Sequence, residues 1–532
     1  MTENNQINHE KKIIDLVKNP ILALAVIGGL SLAIRLYLAP FDLVLSNDAT
    51  AYFWYANDVS MLGNLPSEMS SNLARDFNTR FPNNGWPIFL SGFFSLIEST
   101  SFLDYMNAQR AISILISVIT IIPIYLLSRR FFNKSYSIFA AALFVFEPRL
   151  IENSLLGITE PFYLLLGIVT LFLFLSKNNK IIIISFATAA IFCLVRYEGL
   201  LIIIPMTIMY FVRFHKTKKQ ILTYFIAIVI FTMILLPMGF LRIESTGSDG
   251  LTSHVLAGGE YYSGMIEDEG NNVILEFLSK GISFLGKYFL LVSIPLFLIC
   301  LPYGIFNLIK KRDEKKWTLI LFGLAFLIPA FYAYSRGFQD VKYLYIFLPV
   351  FCIISVYFIQ SIEQKIKKPK VFFGGIIISI ILVSSIFLNF TITDFETEKE
   401  KYEISLVVNE IATNVNRDYT SLQYLKWSDS DVINNFPILS TNVKQKDRVK
   451  IINIGNNSNN EFSIMEDYFV FAQKQGLTHL VLDNDNINNN FLKEIFQNEK
   501  QYPFLKKVYD SSEFGYNYHV KIFEINYNLF LK

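Results

Sequence analysis

Charge is scarce in this chain. Asp, Glu, Lys and Arg make up 17% of its 532 residues, against roughly 25% in an ordinary soluble domain. The 47 basic and 45 acidic residues nearly cancel. No strongly basic surface is left over for a nucleic-acid backbone, so a nucleic-acid partner is excluded. Cysteine is almost absent. Cys193, Cys300 and Cys352 all lie inside apolar runs and read as small core hydrophobes, not as disulfide partners or metal ligands. The five histidines are scattered and form no ligand cluster. The chain also lacks a GxGxxG turn in a strand context, a Walker loop and a nucleophile elbow, so phosphate chemistry driven by a nucleotide is not indicated. The polar start at 1–19 is not followed by a short apolar region with a small-residue cleavage site, so the first apolar run is expected to stay as a membrane helix. There is no internal repeat.

What the chain has is apolar sequence, at 52% of residues. Hydropathy predicts about eleven membrane spans, near 20–40, 108–128, 136–147, 157–176, 180–195, 199–212, 220–240, 282–307, 317–334, 342–361 and 371–390. Lys and Arg cluster at Lys11-Lys12 with Lys18, at Arg129-Arg130 with Lys134, and at Lys177 with Lys180. They cluster again at 213–219, 310–316 and 365–370. Every second connection carries them, beginning with the N-terminus. Positive charge stays on the cytoplasmic side, so this alternation predicts a cytoplasmic N-terminus and, after an odd number of spans, an extracytoplasmic C-terminus. The expected location is the plasma membrane.

Three outer segments are long. The first, 41–107, holds two apolar stretches, 51–62 and 86–97, too short to span and suited to helices lying in the interface. The second, 241–281, is rich in Gly, Ser and acids and reads as a mobile loop. The third is the tail, 391–532, where Asn, Asp, Glu and Lys replace the apolar runs. Within it, Ser463-Ile464-Met465-Glu466 resembles a capping box opening a helix through Lys474. Strands are predicted at 449–454, 480–482, 506–509 and 518–525, the last two pairing around 511–515. The expected fold class is therefore a polytopic α-helical membrane protein, 1–390, followed by a soluble extracytoplasmic α/β domain, 391–532.

Asp48 stands just beyond the first span, in Ser46-Asn47-Asp48-Ala49-Thr50-Ala51-Tyr52. A carboxylate there can simply cap a helix or pair with a cation. It also suits an enzyme whose substrate arrives on a lipid carrier. Arg35, inside the first span, either marks function or snorkels to the interface. A second group runs from Glu147-Pro148-Arg149 to Thr159-Glu160-Pro161. Thr159 and Pro161 fit the cap and first turn of a helix headed by Glu160. Glu160 either complements the helix dipole or works chemically, and Arg149 is a cation able to neutralise a phosphate. A third is the turn Arg196-Tyr197-Glu198-Gly199. A fourth is Arg336 with Asp340-Val341-Lys342-Tyr343. Each cation alone can anchor a helix. Together Arg149, Arg196, Arg336 and Lys342 fall near one membrane face, where a departing phosphate needs positive charge.

These motifs resemble those of the GT-C glycosyltransferases, in particular the polyprenyl-phosphate-sugar branches: protein O-mannosyltransferases, lipid A aminoarabinose transferases and the Rgt-like enzymes. The resemblance covers the topology of about the first 390 residues. The family's Asp-Glu-x-x-Tyr after the first span matches Asp48 to Tyr52, with Ala49 in place of Glu. Its Pro-rich aromatic stretch matches Phe81 to Pro87. Its small-residue turn ending in an acid matches Ser154 to Glu160, its Arg-x-x-Gly turn matches Arg196 to Gly199, and its late Arg-Tyr becomes Lys342-Tyr343. The C-terminal Trp-Trp-Asp-Tyr-Gly motif of oligosaccharyltransferases is not matched by Trp427-Ser428-Asp429. The resemblance implies transfer of a single sugar from a polyprenyl-phosphate donor to a protein, lipid or glycan hydroxyl, with inversion. Asp48 would be the general base, and Glu160, the second catalytic residue, would orient acceptor or sugar. Tyr52, Arg149, Arg196, Arg336, Lys342 and Tyr343 would bind substrate. No cofactor is expected, although a divalent cation between Asp48 and Glu160 is compatible. Two other classes fit a chain of this kind, a secondary transporter and a non-catalytic scaffold of the cell envelope. Matched halves with broken spans, the mark of many transporters, are not evident.

Overall fold

A computed structural model describes residues 19–45, 48–62, 83–99, 101–214, 217–247, 249–252, 271–310, 313–363, 369–391, 395–415, 424–427, 450–453, 464–474, 477–484, 487 and 490–530. Packing divides the chain into two units. One comprises Met1–Ala39, Thr79–Leu90 and Gln109–Ile392; the other comprises Pro40–Asn78, Ser91–Ala108 and Thr393–Lys532.

The first unit is helical. It contains α1 (Pro20–Leu38), the first part of α3 (Gly85–Phe94), most of α4 (Phe102–Ile119), α5 (Ile121–Ser128), α6 (Lys134–Val145), α7 (Pro148–Leu155), α8 (Glu160–Phe174) and α9 (Asn179–Val195). It continues through α10 (Ile203–Arg213), α11 (Lys218–Thr246), α12 (Asn271–Ser293), α13 (Cys300–Lys310), α14 (Glu314–Ser335), α15 (Leu348–Glu363) and α16 (Pro369–Thr391). Short 3₁₀ turns at Tyr197–Ile202 and Val341–Phe347 lead into α10 and α15. Polar residues in the connections start these helices. Asn133 accepts from Tyr136 N at 3.1 Å, Asn178 from Lys180 N at 2.9 Å, and Asp313 from Lys315 N at 2.9 Å, so each satisfies an amide the helix cannot. Basic residues in the same connections close other helices. Arg213 donates to the carbonyls of Phe174 and Ser176, and Lys316 to that of Asn307, where the helix dipole is negative.

Among the described residues, six helical segments are long and apolar enough to cross a membrane: Pro20–Leu38, Phe102–Ser128, Lys218–Glu244, Glu314–Ser335, Val341–Glu363 and Phe372–Thr391. The protein is an integral membrane protein. α11 leaves large apolar side chains uncovered, Phe225 at 63% and Phe240 at 66% exposure, as a helix facing acyl chains does. α6 is the opposite case, with every residue from Tyr136 to Val145 buried.

One predicted span is broken. The run 282–307 divides into α12 and α13, separated by a turn at 294–299. Pro295 follows a cis peptide bond, and Phe297 and Leu298 both donate to the Ser293 carbonyl at 2.8 Å. A hydropathy window averages over such a break; Pro295 was its signal. α12 also begins at Asn271, inside the stretch expected to be a mobile loop, most of whose remainder lies outside the described residues. Two glycines let these helices cross closely. A Cβ on Gly281 would strike Ser335 and Phe331 of α14, and one on Gly304 would strike Ile354 of α15.

The second unit holds α2 (Asp48–Leu62), the rest of α3 and α4, and the tail. The interfacial stretches expected at 51–62 and 86–97 are indeed helical. Phe53, Trp54, Phe94, Phe102 and Tyr105 interlock there with ring centroids 5.0 to 5.8 Å apart. The tail contains α17 (Glu396–Val415), β1 (Tyr424–Trp427), β2 (Lys450–Asn453), α18 (Met465–Lys474), β3 (His479–Asp483), α19 (Asn490–Gln497), β4 (Leu505–Asp510), β5 (Val520–Ile525) and α20 (Tyr527–Phe530). β1 and β2 pair in parallel, and β3, β5 and β4 form an antiparallel sheet in that order. Alternation sorts the sheet's side chains into two cores. Val481, Val520 and Ile522 pack on Ile404 and Val408 of α17. Leu480, Leu482, Phe523 and Ile525 pack on Phe469 of α18 and Ile495 of α19. The sheet is thus covered on both faces. The helix and strands read from the sequence match these elements, while the capping residue Ser463 lies outside the described residues.

Candidate active site

In the first unit, three stretches of chain meet at a pocket of about 410 Å³, part of it open to solvent. The start of α8 brings Glu160, the end of α9 brings Arg196 and Glu198, and the second 3₁₀ turn brings Lys342, Tyr343 and Tyr345. Tyr163 on α8 and Phe326 and Pro329 on α14 complete an apolar wall.

Each side chain is placed by its local backbone. Thr159 is the cap residue of α8, as expected, but its side chain makes no cap bond; its hydroxyl donates to Glu160 Oε2 at 3.3 Å instead. Glu160 is only 4% exposed. Arg196 ends α9 in an extended conformation (φ −145°), which turns its side chain out of the helical course. The Gly199 amide then donates to the Arg196 carbonyl at 2.9 Å. A Cβ on Gly199 would lie 2.9 Å from Phe192 and 3.0 Å from Cys193, so glycine alone lets this turn lie flat on α9. Asp340 accepts from the Lys342 amide at 2.8 Å and pairs with its ammonium at 3.3 Å.

The centre of the arrangement is a guanidinium between two carboxylates. Arg196 Nη1 donates to Glu160 Oε1 at 2.6 Å. Its Nη2 and Nε donate to Glu198 at 3.0 and 3.4 Å. It also lies 5.7 Å from the ring centre of Tyr163. Tyr197, in the same turn, has its phenol raised by burial and by the Glu198 charge.

The structure therefore brings together Glu160, Arg196, Lys342 and Tyr343. It adds Glu198, Tyr163 and Tyr345, which sequence reasoning gave no role. Tyr163 follows Glu160 by three residues on one helix, a spacing that puts both on one face. Arg149 does not line the pocket. It donates to Glu147 at 3.3 Å and to the Ile294 carbonyl freed by the break after α12, and stacks on Phe387 at 4.9 Å. Glu147, the cap of α7, is fully buried and accepts from the Leu150 amide at 2.9 Å. Arg336 is exposed, against Tyr332 and Phe338, and is likewise outside the lining. Asp48 and Tyr52 belong to the second unit, in the first turns of α2. Asp48 is half-buried and Tyr52 is buried. Among the described residues no group of three His, Cys, Asp or Glu has the spacing to hold a metal ion.

Residues 87–239 match the family described as dolichyl-phosphate-mannose-protein mannosyltransferase. The oligosaccharyltransferase of Archaeoglobus fulgidus, in its apo form, superposes with a TM-score of 0.57 at 14% identity, over 88% of this chain and 70% of that one. The fold is that of the GT-C membrane glycosyltransferases. Two further GT-C structures agree. ArnT from Cupriavidus metallidurans bound to undecaprenyl phosphate superposes with a TM-score of 0.57 at 10% identity, over 94% of this chain and 97% of that one. The archaeal oligosaccharyltransferase AglB from Archaeoglobus fulgidus, in complex with an inhibitory peptide and a dolichol-phosphate, gives 0.53 at 15% identity over 87% and 69%. No curated protein sequence matches the chain.

Proposed function

We propose that this protein is a membrane glycosyltransferase that moves a single sugar from a polyprenyl-phosphate carrier to an acceptor hydroxyl on the outer face of the plasma membrane. The observation that carries the reading is the pocket of the GT-C fold, where Lys342, Arg196 and two carboxylates converge beneath aromatic walls. Lipid phosphates bound in ArnT and AglB, which share the fold, support the donor class.

In this reading the acceptor hydroxyl attacks the anomeric carbon opposite the phosphate. A new C–O bond forms as the bond to the phosphate oxygen breaks, and configuration inverts. Asp48 takes the hydroxyl proton as general base. The departing polyprenyl phosphate gathers negative charge, which Lys342 and Arg196 offset, with Arg149 and Arg336 as further cations on the same side. Glu160 orients sugar or acceptor through hydrogen bonds. Tyr343, in the pocket lining, contacts the substrate. A cytoplasmic N-terminus and an extracytoplasmic 391–532 domain that selects a protein, lipid or glycan acceptor complete the proposal.

The test is transfer of labelled sugar from a panel of polyprenyl-phosphate donors in membranes holding wild type or Asp48→Asn at matched levels. Transfer by wild type and none by the variant is the expected result. Equal transfer by both removes Asp48 as the base. No transfer from any donor refutes the proposal.

A further inference from the structure

Arg196 is held by two carboxylates, and it is held unequally. Glu198, two residues along the same turn, takes the Nε–Nη2 edge of the guanidinium with bonds of 3.4 and 3.0 Å. Glu160, from a different helix, takes Nη1 with a single bond of 2.6 Å. All three residues line the pocket. The turn that carries both Arg196 and Glu198 is closed by the Gly199 amide and pressed flat on α9, so this pair moves as one piece. Glu160 has another neighbour in the Thr159 hydroxyl, which a rotated carboxylate can keep.

An oxyanion entering this pocket meets the Lys342 ammonium and a guanidinium nitrogen that already carries a carboxylate oxygen. Exchanging one oxyanion for another on the same N–H leaves no donor unpaired, so the exchange is isolated from the usual cost of breaking a buried bond. A carboxylate released from a cation is a better acceptor for a sugar hydroxyl. A fork gripped on its other edge stays aimed while this happens.

We propose that Glu198 is a positioning residue that holds Arg196 in place while the donor's phosphate displaces Glu160 from Nη1, turning the Glu160 carboxylate toward the sugar. The inference rests on the glycosyltransferase reading above.

The experiment measures binding of undecaprenyl phosphate, with undecaprenol as control, to the full chain in lipid nanodiscs for wild type, Glu160→Gln and Glu198→Gln. Wild type is expected to prefer the phosphate. Glu160→Gln removes the competitor and is expected to bind it about threefold tighter, whereas Glu198→Gln loosens the fork and binds about tenfold weaker. Loss of one negative charge near an anion site would by itself tighten both variants, so opposite signs separate positioning from simple electrostatics. Tightening by both overturns the role of Glu198. Weakening by Glu160→Gln overturns the exchange. Should Glu198→Gln not fold, Glu198→Asp, which keeps the charge but shortens its reach to Arg196, takes its place: weaker binding is expected, and unchanged binding overturns the positioning role. A wild type that does not distinguish phosphate from alcohol refutes the glycosyltransferase reading itself, and the inference with it.

Discussion

Replacing Arg196 with methionine isolates what the two carboxylates cost without their cation. The Glu160 and Glu198 side chains retain 5% and 13% of their exposure, and Arg196 retains 12%. Charges so poorly reached by water are tolerated because they are paired. A pair about 4 Å apart at an effective dielectric near 20 gains about 4 kcal/mol. Breaking a buried pair by removing one partner costs about 3–5 kcal/mol, because a desolvated charge is left behind. Arg196→Met is therefore expected to destabilise the helical unit by about 3–5 kcal/mol at neutral pH. The triple variant Arg196→Met, Glu160→Gln, Glu198→Gln removes all three charges at nearly constant volume and is expected to recover most of that loss. Thermal unfolding of detergent-solubilised protein, followed by retention of the monodisperse peak after heating, compares the three. A single variant as stable as wild type would refute the reasoning. So would a triple variant no better than the single one, since the loss would then come from packing and not from charge.

Three further outcomes are expected. Gly304→Ala forces a methyl group into Ile354 and should destabilise the protein by about 1–3 kcal/mol; Gly286→Ala, on the preceding helix and with open space around it, is the control and should be neutral in the same heating assay. Glu147 caps α7 by accepting from the Leu150 amide at 2.9 Å and pairs with Arg149 at 3.3 Å. Glu147→Ala removes both contacts and should destabilise the protein by about 1–2 kcal/mol in that heating assay; an unchanged midpoint would refute it. Phe523 is fully buried between the sheet and α18, so Phe523→Ala should cost about 3–5 kcal/mol locally, seen as faster hydrogen exchange in β3, β4 and β5.

The sequence made the architecture readable where the pattern was local. Alternation in 506–509 and 518–525 located β4 and β5, because Lys506, Val508 and Glu524 stay toward solvent while their neighbours are buried or half-buried. Glu160 was readable because Thr159 and Pro161 announce a helix start beside it. Arg196 and Lys342 stood out as charges bordering apolar runs. The pocket's other members did not. Tyr163 and Tyr345 sit within apolar runs where a tyrosine looks like core, and only the folded contact with Glu160 and Lys342 gives them a second identity. Glu198 was visible in its turn, but its grip on Arg196 depends on the extended backbone at that residue. Arg149 was drawn toward the phosphate by its charge. Its involvement with the Ile294 carbonyl depends on a helix break that hydropathy averaging conceals.

The buried helix α6 has a consequence for depth. Its twelve residues, Lys134–Val145, rise about 18 Å, while the apolar slab of a bilayer is about 30 Å thick. A helix of that length does not cross such a slab by itself. The polar run that follows, with Arg149, Asn153, Ser154 and Thr159 all buried, is wrapped by protein instead of lipid. A short helix of this kind is kept from acyl chains only by its protein neighbours, so its depth is theirs to set.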